Sequence, residues 1–204
     1  MTASVSRRAR GAALGAALAL APLGVAAAQQ PSSGTMGNMP GMDHSKMQMD
    51  RPAPRDSNQA FLRMMSDHHQ GLIQMADTAK GRAAKPVTRQ DAQKLDAKQH
   101  REQHVMLDML KSQYSDNAMP MVMPSNQAML DTLTRASGAA FDPTFYRLVA
   151  QHHQEAIAMT DKMLPSLTGR VREMATKMRA DQQREIPEMQ RKMTRAEGKT
   201  ASGR

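Results

Sequence analysis

Phe61, Met65, His68, Leu72 and Met75 recur at a 4-3-4-3 spacing, which places them on one face of a helix. Asp56 or Ser57 suits the start of that helix, and the run GRAAKP at 81–86 ends it after about Lys80. A second helix starts near Pro86, a residue suited to a first turn, and extends to about Gln113. Its inward stripe is Leu95, Gln99, Glu102, Met106 and Met109. YSDNAMPMVMPS, from Tyr114 to Ser125, then breaks the pattern with two prolines, and a short helix over about 126–136 follows. Asp142 as cap and Pro143 in the first turn predict a third long helix to about Leu164, its stripe being Phe145, Val149, His152, Ala156, Met159 and Met163. The last long helix covers about Thr168 to Glu197, with Val171, Ala175, Met178, Gln182, Glu185 and Met189 inward. Pro187 lies inside it and is expected to kink or split it.

The two halves repeat. At an offset of 84, Phe61, Arg63, His68, His69, Gln70, Ile73, Met75 and Asp77 match Phe145, Arg147, His152, His153, Gln154, Ile157, Met159 and Asp161, eight identities in 17 positions. At an offset of 83, Gln99, Arg101, Glu102 and Met106 match Gln182, Arg184, Glu185 and Met189. A duplicated helical hairpin with short turns predicts an all-α, antiparallel four-helix bundle. The expected units are hairpins over 57–113 and 142–197, a Met-rich loop with a short linking helix over 114–141, and a disordered tail over 198–204.

The N-terminus reads differently. Arg7, Arg8 and Arg10 precede an apolar run from about Gly11 to Val25 and then VAAAQQ, the pattern of a signal peptide cut after Ala28. The run contains Pro22 and is too short for a comfortable membrane span, so a soluble exported protein, periplasmic or extracellular, is expected without membrane insertion after cleavage. Loss of three arginines lowers the formal charge from +9 to +6. The remaining basic residues are spread along both helical halves without interleaved aromatics, which argues against nucleic acid. Residues 29–56 are rich in Gly, Pro, Ser and Asn and read as a flexible arm.

Chemistry enters through sulfur and imidazole. The chain has 21 methionines and no cysteine, so Met is its one soft ligand type. The arm carries Met36, Met39, Met42, His44, Met47 and Met49 with no helical face to bury them. Thioether and imidazole together suit Cu(I) or Ag(I) better than Zn, Mg or Ca; a low-complexity tether is the plainer reading of the same segment. Met119, Met121 and Met123 fall on one side of an extended loop, which also fits simple packing.

In the helices, His68 and His152 point inward, and His69 and His153 flank the seam. Met64 and Met65 lie four residues before His68 and His69, the spacing at which side chains meet on one helical face. Met75 and Met159 return to that face two turns later. Inward Glu102 and Glu185 need donors, and a histidine on the facing helix, held by one nitrogen, keeps the other for a metal. The same residues could simply satisfy one another as a buried polar pair in a Met-filled core. His100 and His104, at i and i+4, fit a chance surface pair at least as well as a site, because Gln183 and Pro187 replace them in the repeat.

The doubled F-x(6)-HHQ-x(2)-I-x-M unit, each followed by Q-x(2)-E-x(3)-M, resembles the CopM-like proteins over about Gln59 to Met193. Gln103 departs from the Ile that the resemblance leads one to expect there and that Ile186 supplies in the second copy. The resemblance implies an exported, ferritin-like four-helix bundle that binds Cu(I) and Ag(I) through His68, His69, Met75, His152, His153 and Met159 in support of metal tolerance. The expected function is therefore sequestration or handover of Cu(I), with Ag(I) and Cu(II) as further ions and another copper-handling protein as partner; the sequence leaves the oligomeric state open. A metal-free interaction bundle is the alternative. A ferritin-like oxidase is disfavoured, because di-iron bundles use E-x-x-H pairs and this chain has none. No enzyme activity is expected.

Overall fold

Five helices and two short 3-10 turns make up the regular structure of residues 51–117 and 119–198, which the computed structural model describes, and no strand occurs among them. The helices are α1 (Ser57–Arg82), α2 (Pro86–Tyr114), α3 (Pro124–Arg135), α4 (Phe141–Met163) and α5 (Gly169–Ala196). The fold is all-α. The proposed signal peptide, the methionines and histidine of the arm, and residues 199–204 lie outside the described residues. Residues 51–56, the expected end of the arm, are tied to α1: Arg51 pairs with Asp67 at 2.8 Å, and Arg63 donates to the Pro52 carbonyl.

The ends of these helices follow from local chemistry. The Asp56 carboxylate accepts from the Gln59 amide at 2.8 Å and caps α1. Ser115, with φ 55°, closes α2 in the left-handed conformation. Asp142 does not cap the helix it was expected to start. α4 begins one residue earlier, at Phe141. The Asp142 carboxylate instead accepts from the Ala84 and Lys85 amides and the Thr88 hydroxyl, each at 2.9 Å, at the start of α2, whose own cap residue Lys85 offers no side-chain acceptor. One aspartate thus joins the two halves of the chain and serves a helix start distant in sequence. Pro187 does not split α5, which runs through it. Pro187 and Gln183, whose carbonyl loses its helical donor, both lie on the exposed face, where water can replace that bond.

α1 packs chiefly on α2 and α4 on α5, and α1 and α4 pack against each other. The apolar interior falls into two clusters. One holds Leu72, Met75, Ala92, Leu95, Phe145, Tyr146, Val149 and Met189. The other holds Phe61, Leu62, Met65, Met106, Ala156, Ala175 and Met178, with Met159 packed against it. The repeat exchanges the two: Phe61 and Phe145, Met65 and Val149, Met75 and Met159, Ala92 and Ala175, Leu95 and Met178, and Met106 and Met189 each have one member in each cluster. α3 breaks that relation. It lies on α1 and α4, and Asn126 sits so close to Gly71 that a Cβ there would come 2.4 Å from the Asn126 side chain. Gly71 has Glu155 as its counterpart in the second copy, a position that no short helix needs to cover.

Candidate metal centre

Between the apolar clusters lies a polar layer. His68, His69, His152, His153 and Gln99 are each 0% exposed, and Gln182 is 2% exposed. The helical register explains this: each His-His pair sits at the middle of its stripe, and each inward Gln lies mid-helix on the partner helix of the hairpin. The His68 and His152 rings meet at a tilt, with centroids 3.7 Å apart and planes inclined by 36°. His152 and His153 have ring centroids 6.1 Å apart. The structure therefore brings the rings of His68, His152 and His153 together, with His69 buried at the next position of α1.

Their hydrogen bonds leave much of this chemistry unused. His152 Nε2–H donates to the His68 carbonyl at 2.9 Å, and Asn126 donates to the same oxygen at 3.0 Å. His69 Nε2–H donates to Glu102 at 3.0 Å. His153 Nε2 stands 3.0 Å from Glu185 but is skewed out of hydrogen-bonding alignment. Both ring nitrogens of His68, and Nδ1 of His69, His152 and His153, have no hydrogen-bond partner in the protein. Both side-chain polar atoms of Gln99 and the amide nitrogen of Gln182 are likewise unpartnered. Buried polar groups are rarely left so, which makes this layer the anomaly of the fold.

Electrostatics favour neutral rings at its centre. Burial, followed by the nearby His69 and His153, drives His68 well below the usual histidine range. Burial, followed by His68 and His153, does the same to His152. A neutral ring with its proton on Nε2, as in His152, presents Nδ1 as a bare lone pair, the form that ligates metals.

The outer edge of the layer is charged. Lys98 pairs with Glu185 and lies 3.8 Å from Glu102, so one ammonium links the carboxylates that face His69 and His153. Burial works to raise the Glu185 carboxyl, but its pairing with His153 and Lys98 outweighs this and brings it down to about 2. Lys98 was not among the expected site residues, although its i,i+4 spacing to Glu102 was legible. Asp181 occupies its place in the second copy, so this link exists once.

The methionines are distributed otherwise. Met75 is fully buried in the first apolar cluster, Met65 is buried in the second, and Met64 and Met159 are half-buried against the second. Of the loop methionines, Met119 is 76% exposed, whereas Met121 and Met123 are half-buried. His100 and His104 are exposed and face Asp96 and Asp108 on their own helix, away from the layer. Among the described residues, no three His, Asp or Glu side chains converge as a ready cation site. The layer offers nitrogen donors in pairs, a set suited to a soft ion of low coordination number and unsuited to Ca²⁺ or Mg²⁺, which require oxygen cages.

Comparisons with known proteins identify the family. The profile of the family described as "Domain of unknown function (DUF305)" matches residues 6–110 and 58–193. No curated protein sequence matches the chain. A DUF305 fragment from Deinococcus radiodurans is similar in structure, with a TM-score of 0.61 at 24% identity over 71% of this chain and 99% of that one. A putative secreted DUF305 protein from Streptomyces coelicolor has a TM-score of 0.61 at 19% identity, covering 73% and 97%. CopM in its Cu(I)-bound form has a TM-score of 0.56 at 29% identity, covering 66% and 93%, and it has also been solved with Cu(II) and with Ag bound. The chain belongs to the DUF305 family and is a CopM-like member of it.

Proposed function

We propose that this chain is an exported binding protein for Cu(I) and Ag(I), built as a ferritin-like four-helix bundle from two copies of one helical hairpin. The exchange of the two apolar clusters by the sequence repeat supports the duplication. The observation that carries the function is the buried layer of His68, His69, His152 and His153, in which each ring keeps at least its Nδ1 without a hydrogen-bond partner in the protein. CopM, crystallised with Cu(I), Cu(II) and Ag, supports the choice of ion. The likeness to a secreted protein agrees with the signal-like N-terminus, and no described helix is long and apolar enough to cross a membrane.

In this reading the arm, through Met36, Met39, Met42, His44, Met47 and Met49, captures the ion, and the histidine layer holds it. Thioethers of Met64, Met65, Met75 and Met159 complete the coordination after local repacking, for which an unbranched thioether is well suited. Glu102 and Glu185 orient His69 and His153 from outside the coordination sphere. The role is sequestration, tolerance or handover to another copper protein, without catalysis.

A metal-free bundle has one observation in its favour: the His69–Glu102–Lys98–Glu185 chain satisfies several polar groups with no ion. An anaerobic Cu(I) titration against a competing coloured chelator separates the readings. Binding that persists after deletion of 29–50 and weakens in a His68→Leu/His152→Leu variant is expected. Full affinity and stoichiometry in that variant would refute the layer as the site, and binding lost with the arm alone would leave the histidines as scaffold.

A further inference from the structure

A groove of about 240 Å³ opens between α2 and α5 and is lined by Arg101, Glu102, Val105, Met174, Lys177 and Met178. Its position is specific. Glu102 is the residue on which buried His69 hangs, and its side chain keeps 20% exposure where His69 keeps none. The groove therefore ends at the hydrogen bond that separates solvent from the histidine layer.

Its lining is chemically narrow. Met174 and Met178 stand at i and i+4 on α5, on one side of the helix, and Val105, 38% exposed, faces the same space. Glu102 is the one carboxylate of the lining, and it is shared with His69 at 3.0 Å and Lys98 at 3.8 Å. Two cations also stand at the rim: Lys177, paired with Asp181 at 2.7 Å, and the exposed Arg101. Neither Met belongs to the duplicated motif: the corresponding positions in the first copy are Asp91 and Leu95. The pair belongs to one face of the protein only, the face that also carries the Glu102–His69 contact.

We propose that this groove is an entry site for a soft monovalent cation, held by the Met174 and Met178 thioethers beside the Glu102 carboxylate on its way to the histidine layer. The proposal rests on the metal-binding reading above. Two thioethers with a single carboxylate favour Cu(I) or Ag(I) over hydrated Zn²⁺ or Mg²⁺, which lose water reluctantly and find too few oxygen or nitrogen donors here. Passage inward is ligand exchange: metal–sulfur bonds break, metal–nitrogen bonds form, and the ion keeps its charge and oxidation state throughout. Glu102 gates the step, because its carboxylate must turn from His69 for the ion to pass.

Titration of the full chain with Ag(I) tests this, followed by the methyl resonances of ¹³C-labelled methionine and the ring resonances of histidine. Met174→Leu and Met178→Leu, which conserve volume, assign the two methyls and together form the kinetic variant. The expected result is that both methyls shift with bound Ag(I). In the double variant the His69 ring should then respond at least about tenfold more slowly, the lower end of what a focusing cleft contributes to an encounter rate. Ring responses with both methyls unmoved, or with an unchanged time course in the double variant, overturn the entry site and leave the histidine layer standing. Rings that never respond defeat the metal-binding reading and the entry site together. Matching thermal melts of the variant and the parent chain ensure that a slower response is not a folding defect.

Discussion

Acidification offers a quantitative test of the buried histidine pair. His68 and His152 are held neutral by burial and by neighbouring imidazoles, whereas in the unfolded chain each titrates near 6.5. The folded value lies below the unfolded one, so below about pH 6.5 the unfolded state binds more protons and stability decreases as the pH is lowered. The contribution is fully present above the unfolded value and is lost as pH drops through 6.5 toward the folded values. From about pH 7.5 to about pH 5, each ring that stays neutral in the fold removes about 2 kcal/mol of stability, and the pair about 4 kcal/mol. That is a large part of the 5–15 kcal/mol typical of a domain. Glu185, at about 2 in the fold, adds a second loss only below its ordinary value of 4.5. Urea unfolding of the metal-free protein at several pH values, followed by circular dichroism, measures the slope. His68→Leu keeps the volume and deletes one titration, so its slope over this range should fall by about half. A stability flat from neutral to pH 5, or an unchanged slope in His68→Leu, would show that these rings are not kept neutral by their burial.

Two further substitutions probe the contacts that join the halves. Gly71→Ala places a methyl 2.4 Å from Asn126 and displaces α3; overpacking of about 1–3 kcal/mol and a lost hydrogen bond of about 1 kcal/mol outweigh the gain of up to about 1 kcal/mol in helix propensity. Chemical denaturation should show a net loss of about 1–3 kcal/mol, with Asn126→Gly reversing part of it; a stabilised Gly71→Ala would refute the packing argument. Asp142→Ala orphans the Ala84 and Lys85 amides and the Thr88 hydroxyl, so a loss of about 2–3 kcal/mol is expected, with less in Asp142→Asn, which retains one acceptor. Equal effects of the two changes would show that the carboxylate's hydrogen bonds are not what holds the start of α2.

Helix content and the inward position of His68 and His152 were legible in sequence because a 3.6-residue period is local information carried by many residues at once. The contact of the repeated glutamates with histidines was also anticipated, though it runs through His69 and His153 at the seam, with the glutamates only half-buried. What escaped the sequence was tertiary. Asp142 followed by Pro143 satisfies the local rule for a helix start, yet its carboxylate is drawn to the unsatisfied amides after α1, a demand visible only once the halves are packed. Gly71 inside α1 is explained by the Asn126 side chain, 55 positions away in sequence. Lys98 was overlooked for a related reason. An exposed lysine four residues before a glutamate is ordinary on a helix surface, and its second carboxylate, Glu185, comes from the other half.

The histidine layer is costly by the same physics that places it. A repeat that already supplies Leu72, Val149 and Phe145 to its apolar clusters could have carried aliphatic residues at positions 68 and 152 and joined the two clusters into one core. Instead two imidazoles with unpartnered nitrogens meet between them, and each such group weighs against folding by about 1–3 kcal/mol. Specifying register does not require this expense, since the Asp142 and Asn126 contacts and the Lys98 bridge already fix how the halves meet. Nor does the layer resemble a closed polar network, in which every donor finds an acceptor. A ligand that binds only the folded state offsets such a penalty by mass action, about 2.7 kcal/mol at a hundredfold excess over its dissociation constant. The unsatisfied imidazoles are thus the feature on which the proposed soft-cation site rests, and a bound ion would supply the bonds they lack.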